Sequence, residues 1–413
     1  MSPWQRNVGA VWLNNFITSA GMMCFLPLFP FYLRDLGIHD EASVRIWNGV
    51  LVAAAPLTAA FMGPVWGALG DRLGRKPMML RANLAIVVFV GLMGSVNSVW
   101  WLLALRLCQG VFSGFIAPAM TLVSVATPEN RQARVTSWLQ TATMAGGAMG
   151  PWLGGRLASA QGMRSVFWAC AGASLLAALL TSVLVREPQA FGGGEARQRG
   201  SVSPGEMLRG VVRDIAGFLR SPALRGILFA VFAVRFGGAL VEPNVGLWVE
   251  TLPGIDPSAV KSATGDAFAV FTLALLVGAP VWGSVGDRLG HRKLFTLCAV
   301  GAAAFQLLPL FVDDYSAFLA LRFGAGFFVA AHVPAAFAAA AKHSSVTQRG
   351  GAYGVTFSSV ILARALAPLC AGVLAAGLGL EILFVLSAVL MLGAGLVVGR
   401  RRRGVPVETA SAG

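Results

Sequence analysis

Charge is what this sequence has least of. Of its 413 residues only 12% are charged, against 56% hydrophobic, and mean hydropathy is +0.71. Too little polar surface is available to face water on every side, which excludes a soluble globule, a secreted domain and a disordered chain. Five cysteines, Cys24, Cys108, Cys170, Cys298 and Cys370, all fall inside apolar runs, so neither a disulfide framework nor a zinc site is suggested. They read as small core residues. The four histidines, His39, His291, His332 and His343, are scattered. They offer no nucleophile with a base and no metal-ligand cluster, so the chain is not read as an enzyme and no metal is expected. No Gly-Lys phosphate loop is present; no cofactor is expected, and the energy source must be an ion gradient. The N-terminal residues hold a single Arg, and no small-residue cleavage site follows the first apolar run. The first span is therefore read as retained rather than as a signal peptide.

What the chain has instead is long apolar stretches, each able to cross roughly 30 Å of hydrocarbon. Twelve spans are predicted, at 10–33, 46–68, 77–97, 99–124, 133–158, 165–185, 225–248, 262–284, 294–312, 316–340, 351–378 and 381–399. The fold class is all-α integral membrane. A net charge of +14 would suggest nucleic acid in a soluble protein. Here the basic residues sit at span ends, and no nucleic-acid partner is expected. With both termini inside, 23 of the 32 Lys and Arg fall on the cytoplasmic side and 5 on the outer side. That asymmetry orients the chain with both termini in the cytoplasm of a bacterial inner membrane.

The two halves match at a constant offset of 216 residues: the run from Pro64 to Lys76 repeats from Pro280 to Lys293, and Leu103–Arg106 repeats as Leu319–Arg322. Pro27 with Pro243, Gly110 with Gly326 and Pro118 with Pro334 keep that register. Such a register means two six-helix halves related by duplication, with a cavity between them. The division is 1–186 for the first half, 187–224 for a cytoplasmic linker, 225–400 for the second half and 401–413 for a tail. Within the linker, Leu208, Val211, Val212, Ile215, Phe218 and Leu219 recur at helical spacing beside Arg209, Arg213 and Arg220, the pattern of a basic amphipathic helix on the inner leaflet.

Three motif regions carry further information. Between spans 2 and 3 lies Gly67, Gly70, Asp71, Arg72, Gly74, Arg75 and Lys76, repeated between spans 8 and 9 with Gly283, Asp287 and Arg288 but with His291 in place of Arg75. Its glycines allow a helix to approach closely, and Arg72 and Arg75 can pair with Glu129 at the inner end of span 4 as a latch. Span 5 carries Gly146, Gly150, Pro151, Gly154 and Gly155, where Pro151 is expected to bend or weaken the helix. These motifs, over essentially the whole chain, make it resemble the major facilitator superfamily, in particular the 12-span drug:proton antiporters of bacterial multidrug resistance. The resemblance implies two pseudo-symmetric six-helix halves, a gate at the loop motif, an antiporter motif in span 5, and small-molecule export driven by protons from a monomeric protein.

Ionisable residues inside the spans are informative because each Arg at mid-bilayer costs on the order of 3 kcal/mol. Arg106 (span 4), Arg235 and Glu242 (span 7), Asp266 (span 8), Arg322 and His332 (span 10) and Arg364 (span 11) are such residues, whereas spans 3, 6, 9 and 12 hold none away from their ends. A coupling proton needs a carboxylate, which makes Glu242 and Asp266 the acidic candidates, His332 a further one, and Arg235, Arg106 and Arg322 the groups that tune them. Asn15, Met22, Phe25, Gln109, Gln140, Met144, Phe268 and Arg364 are candidate cavity lining.

The resulting expectation is export of small amphipathic compounds by alternating access, coupled to proton entry, with lipids, protons and a small molecule as partners. The alternative is a transporter, by uptake or facilitation, for one anionic or zwitterionic metabolite, favoured by the excess of intramembrane Arg over acids. Asp71→Asn should slow transport while leaving equilibrium substrate binding within a few-fold, since Asp71 lies at the inner surface; ligand binding and conformational exchange measured side by side check this.

Overall fold

The computed structural model describes residues 3–187, 222–332, 334–335 and 349–399, and among these it is helical without strands. Span 1 comprises the helices Pro3–Phe25 and Phe29–Asp35; spans 2 and 3 are Glu41–Leu73 and Arg75–Met93. Span 4 is Val99–Phe112 with Ile116–Ala126, span 5 Gln132–Gln161 and span 6 Met163–Leu184. In the second half, span 7 is Pro222–Val241 with Val245–Thr251, followed by Val260–Leu289, His291–Leu307, Tyr315–Val329, Arg349–Leu378 and Glu381–Gly399 as spans 8 to 12. Among the described residues, ten helical stretches are long and apolar enough to cross a membrane. The other two are span 10, whose apolar helix Tyr315–Val329 is short, and span 5, which carries Gln132, Thr136, Gln140 and Thr141 among its glycines. The amphipathic segment at 208–219 lies outside the described residues.

Proline decides where the long helices break. Spans 1 and 7 are interrupted by 3₁₀ turns, Leu26–Leu28 and Glu242–Asn244, that hold Pro27 and Pro243, the pair at offset 216. A proline supplies no amide hydrogen, so the α-helical ladder gives way there to tighter bonding. Span 4 also breaks, at Gly114 with φ +104°. At Pro151 the helix Gln132–Gln161 runs on without interruption, as Val260–Leu289 and Arg349–Leu378 run through Pro280 and Pro368. Close neighbours on two faces help span 5 to tolerate the missing bond. Outside the spans, Asp40 and Asp314 cap spans 2 and 10 by accepting the Ser43 and Ala317 backbone N–H groups. Hydrogen bonds from Ser43 and from Ser316 and Ala317 hold these carboxyls below the usual range, so the caps act in ionised form and weaken as pH falls through that lowered value.

Glycine decides how closely the helices pack. In span 5, Gly146, Gly150 and Gly154 recur every four residues on one face, where an added Cβ would lie 2.5, 2.2 and 2.1 Å from the Phe16, Ala20 and Cys24 carbonyl oxygens of span 1. The adjacent face of the same helix reaches the other half: a Cβ on Gly265 of span 8 would lie 2.3 Å from the Pro151 carbonyl, and one on Gly155 would lie 2.5 Å from that of Lys261. Its pseudo-symmetric mate joins span 2 to span 11, with a Gly49 Cβ 2.3 Å from the Pro368 carbonyl and a Gly372 Cβ 2.7 Å from that of Arg45. These two crossings knit the halves together at the end of the bundle bearing the 36–40 and 252–259 loops.

The same helices part toward the other end. Gly67 lies 18 residues beyond Gly49, five whole turns, and so on the same face of span 2; Gly283 stands in the same relation to Gly265 in span 8. A Cβ on Gly67 or on Gly283 would meet nothing within 4 Å among the described residues. Over roughly 27 Å of rise, tight contact has become open space, and a cleft separates the halves. Gly67→Leu should accordingly leave the yield of monodisperse folded protein unchanged in this conformation, whereas Gly154→Leu should lower it several-fold, as size-exclusion profiles of the two variants will show.

Candidate functional site

The closed end of the cleft is built from polar contacts that belong to both halves. Arg34 at the end of span 1 donates from Nη1 to both carboxylate oxygens of Glu250 at the end of span 7 (2.7 and 2.9 Å) and from Nη2 to Glu41 (2.7 Å). Arg156 of span 5 meets Asp266 of span 8 at 2.7 Å. Arg45 donates to the Ala375 carbonyl at 2.8 Å, and buried Asn48 donates to the Pro243 carbonyl at 2.8 Å, next to the break in span 7. Asp266 is thus one partner of an inter-half ion pair at the sealed end. Arg34 and Glu250 escaped the sequence analysis, although they occupy equivalent positions in the duplication, 216 residues apart.

At the open end the loop motif has a partner that sequence did not supply. Glu187, just past span 6, accepts the backbone N–H groups of Arg75 and Lys76 with its two carboxylate oxygens, both at 2.7 Å. It thereby satisfies two of the orphan donors at the start of span 3 and places a negative charge at the positive end of that helix. Lys76 Nζ reaches the Ser182 carbonyl at 2.7 Å, tying span 3 to span 6 a second time. Gly74 turns the chain with φ +97°, as its mate Gly290 does with φ +79°. Gly70 faces span 3: the Arg75 guanidinium lies 2.9 Å and Met78 Cγ 3.2 Å from where a Cβ would stand. The side chains of Asp71 and Glu129 lie outside those described, and so does the pairing expected of Glu129. Arg72 is exposed, and in the second copy of the motif Asp287 and Arg288 are exposed as well.

Several expected cavity residues face inward into the first half instead. Asn15 and Phe25 are buried, and Gln109 is buried beside them. Phe25 packs against Phe29 and Phe167, and Gln109 donates to the Met22 sulfur at 3.1 Å. Asn15 accepts from Asn14, whose own carbonyl oxygen collects bonds from Asn83 (2.7 Å) and Thr181 (3.0 Å), so this polar layer ties span 1 to spans 3 and 6. Helical periodicity tells which residues share a face but not which neighbour that face meets. Met22, Met144 and Phe268 are half-buried, while Gln140 and Arg364 are exposed. Arg364 precedes Pro368 by one turn, hence on the face that crosses span 2, just toward the open end from the crossing. Met144 and Gln140 stand likewise one and two turns from Gly147, whose Cβ position is 3.6 Å from Thr272 of span 8.

The buried arginines differ sharply between the halves. Arg106 is 1% exposed, donates from Nε to the Leu51 carbonyl (3.0 Å) and from Nη1 to Gln109 (2.6 Å), and lies 5.3 Å from the Phe29 ring centroid. Arg322, its mate at offset 216, is 2% exposed and stands over Phe271 at 4.4 Å, but its Nε and Nη2 find no hydrogen-bond partner. Each such orphan donor costs roughly 1–3 kcal/mol. Around it the second half gathers charge. Glu242, half-buried in the span 7 turn, is near enough to act electrostatically on both Arg235 and Arg322, and Arg364 on Arg235. Among the described residues, neither Glu242 nor Arg235 makes an ion pair within 4 Å, so the static Arg235–Glu242 bridge is not formed here. His332 is buried, stacks edge-on against Phe295 at 4.9 Å, and points Nδ1 at the Val329 carbonyl (3.1 Å), leaving Nε2 without a partner.

Two duplicated six-helix halves, sealed at one end and parted at the other around buried charge, define a membrane transporter. The chain belongs to the Major Facilitator Superfamily, whose model matches residues 11–260 and 227–412. It is 30% identical over 387 residues to the multidrug resistance protein MdtG of Citrobacter koseri, covering 93% of this chain and 92% of that one, and 30% identical to MdtG of Salmonella typhimurium over the same lengths. Its fold is that of a bacterial homolog of the human lysosomal transporter Spinster in an inward-facing, occupied conformation, with a TM-score of 0.76 at 16% identity over 96% of this chain and 97% of that one. The nucleoside transporter NupG shares it, with a TM-score of 0.74 at 12% identity over 95% and 98%.

Partly exposed ion pairs are each worth about 0.2–1 kcal/mol, so together they bias the sealed end without locking it. With the exposed Cys108 and Cys370 replaced by Ser, a cysteine at Ser262 should react with a maleimide a few-fold faster once Asp266→Asn and Glu250→Gln are introduced; unchanged labelling would exclude these pairs as a latch.

Proposed function

We propose that this protein exports small amphipathic compounds, drugs among them, across the bacterial inner membrane in exchange for protons, by alternating access as a monomer with both termini in the cytoplasm. The 30% identity to MdtG proteins across nearly the full length of both chains supports the drug reading. The observation that carries the mechanism is the contrast along spans 2 and 8, where Gly49 and Gly265 are in contact and Gly67 and Gly283 are open. Each pair lies on one rigid helix face, so a rocking of one half against the other would exchange which pair is closed. The Lys and Arg excess on the side of the termini makes the open end cytoplasmic, and this conformation inward-facing. The division into halves at 1–186 and 225–400, joined by the 187–224 linker, is part of the proposal. Glu187 and the start of span 7 at Pro222 then extend the structured parts slightly into that linker.

Glu242 is the proton carrier in this reading. It sits where Pro243 breaks span 7, half-buried, with no partner fixed to it among the described residues and two arginines within electrostatic reach. Asp266 serves the gate instead, because Arg156 already engages it. His332 is packed behind Phe295 and reads as structural. Glu242→Gln fixes the neutral form, so efflux driven by a pH gradient should vanish while gradient-independent exchange of substrate persists. A purely structural role makes the opposite forecast, loss of folded protein; well-folded Glu242→Gln that still pumps uphill would exclude Glu242 from the coupling.

A further inference from the structure

The two copies differ on the outside of the bundle, where span 3 packs on span 4 and span 9 on span 10. In the second half the stacked rings of Phe305 and Phe328, 5.6 Å between centroids, seat against glycine: a Cβ on Gly301 would stand 2.5 Å from the Phe328 ring, and one on Gly324 2.2 Å from that of Phe305. The first half keeps the stacked pair as Phe89 and Phe112, 5.7 Å apart, but has Ala85 and Cys108 where the glycines would be. The added side-chain atoms bar the rings from the same depth, and Phe112 is exposed where its mate Phe328 is half-buried. A groove of about 560 Å³ runs there, lined by Leu80, Leu84, Val88, Phe89 and Phe112 together with Arg81. Leu84 and Val88 are 50% and 52% exposed, so the groove faces outward, toward lipid.

Arg81 has no counterpart in the second half, where the exposed Leu297 stands at its place. Its guanidinium lies 3.7 Å from the Trp66 ring centroid, Nη2 donates to the Ser113 carbonyl at 3.0 Å, and Nη1 meets the Met78 sulfur at 3.8 Å. Among the described residues its buried Nε has no hydrogen-bond partner, and no carboxylate lies within 4 Å of the group. A guanidinium without a counter-ion is costly at the edge of hydrocarbon, and its remaining donors suit an anion.

We propose that this groove binds an anionic phospholipid of the inner leaflet, with its phosphate at Arg81 and one acyl chain along Leu84, Val88, Phe89 and Phe112. The planar fork of an arginine matches two phosphate oxygens. The Arg81 side chain leaves its helix toward the N-terminal end, where span 3 also carries Arg75 and Lys76 and where the basic excess of the chain lies. Positive potential at that surface favours a lipid of net negative charge over a zwitterionic one. The groove lies outside the cleft between the halves, so its occupant is distinct from any transported compound.

The test uses purified full-length protein in detergent, titrated with dioleoyl phosphatidylglycerol or, as the zwitterionic counterpart, dioleoyl phosphatidylcholine, with bound lipid counted by native mass spectrometry. The first lipid bound should favour phosphatidylglycerol about fivefold. Arg81→Leu, which copies the second half, should abolish that preference. Because Arg81 also ties span 3 to the break in span 4, Arg81→Lys is measured beside it and should keep most of the preference. Leu84→Trp, which fills the groove and keeps the charge, should weaken phosphatidylglycerol binding about fivefold, whereas Arg6→Gln, at an exposed basic residue of span 1, should change it less than about twofold. Equal affinity of the wild type for the two lipids, a preference that survives Arg81→Leu, or an equal loss in Arg6→Gln would overturn the site. So would a dimer mass that Leu84→Trp abolishes, since a second copy of the chain would then cover the groove.

Discussion

Everything in this structure hangs on two backbone contacts between the halves, Gly265 against Pro151 and Gly49 against Pro368. In a bilayer the hydrophobic effect gives helices no reason to associate, because lipid tails are as apolar as leucine; close packing of small residues and a few polar bonds must do it. A hydrogen in place of a side chain at these positions lets backbone approach backbone. The inter-half pairs Arg34–Glu250 and Arg156–Asp266 cluster at the same end, where the crossings bring their helices together. Because the crossings are confined to one end, the helices are free to diverge at the other, and the cleft follows from the placement of glycine.

The span 5 motif gains a physical account from this. Its glycines divide between two faces, Gly146, Gly150 and Gly154 toward span 1 and Gly155, beside Pro151, toward span 8. One helix thus couples a neighbour in its own half to the opposite half. Movement at the inter-half crossing must pass through a contact with span 1 that tolerates no added atom, which suits a rigid-body motion better than a local one.

Duplication supplied two copies of most features, and where the copies differ the chemistry differs. Trp66 donates to the Val111 carbonyl at 2.6 Å and Trp282 to the Phe327 carbonyl at 2.7 Å, the same bond at the same offset. Gly110 meets Ala55 and Thr58 as Gly326 meets Phe271 and Ala274, again in register. Against that shared frame, the exchange of Gln109 for Ala325 stands out. Arg106 donates to Gln109, whereas Arg322 has the apolar Ala325 at the equivalent place, and its Nε and Nη2 are without hydrogen-bond partners among the described residues.

The sequence by itself determined the twelve spans and the duplication, because hydrophobic length and a fixed register act locally along the chain. It also marked the charged residues of spans 4, 7, 8, 10 and 11 as exceptional, since their cost in hydrocarbon depends on depth alone. What each of them faces was decided by tertiary structure. Asn15, Phe25 and Gln109 share helix faces with credible cavity residues, yet turn into the first half. Asp266 and Glu242 are both intramembrane acids in one half, yet only Asp266 found an arginine across the interface. Glu187 carries no motif and lies in a stretch read as linker, but the end of span 6 brings it to the start of span 3. Partners of this kind are separated by about a hundred residues or more, so no periodicity records them; they come into being only when helices pack.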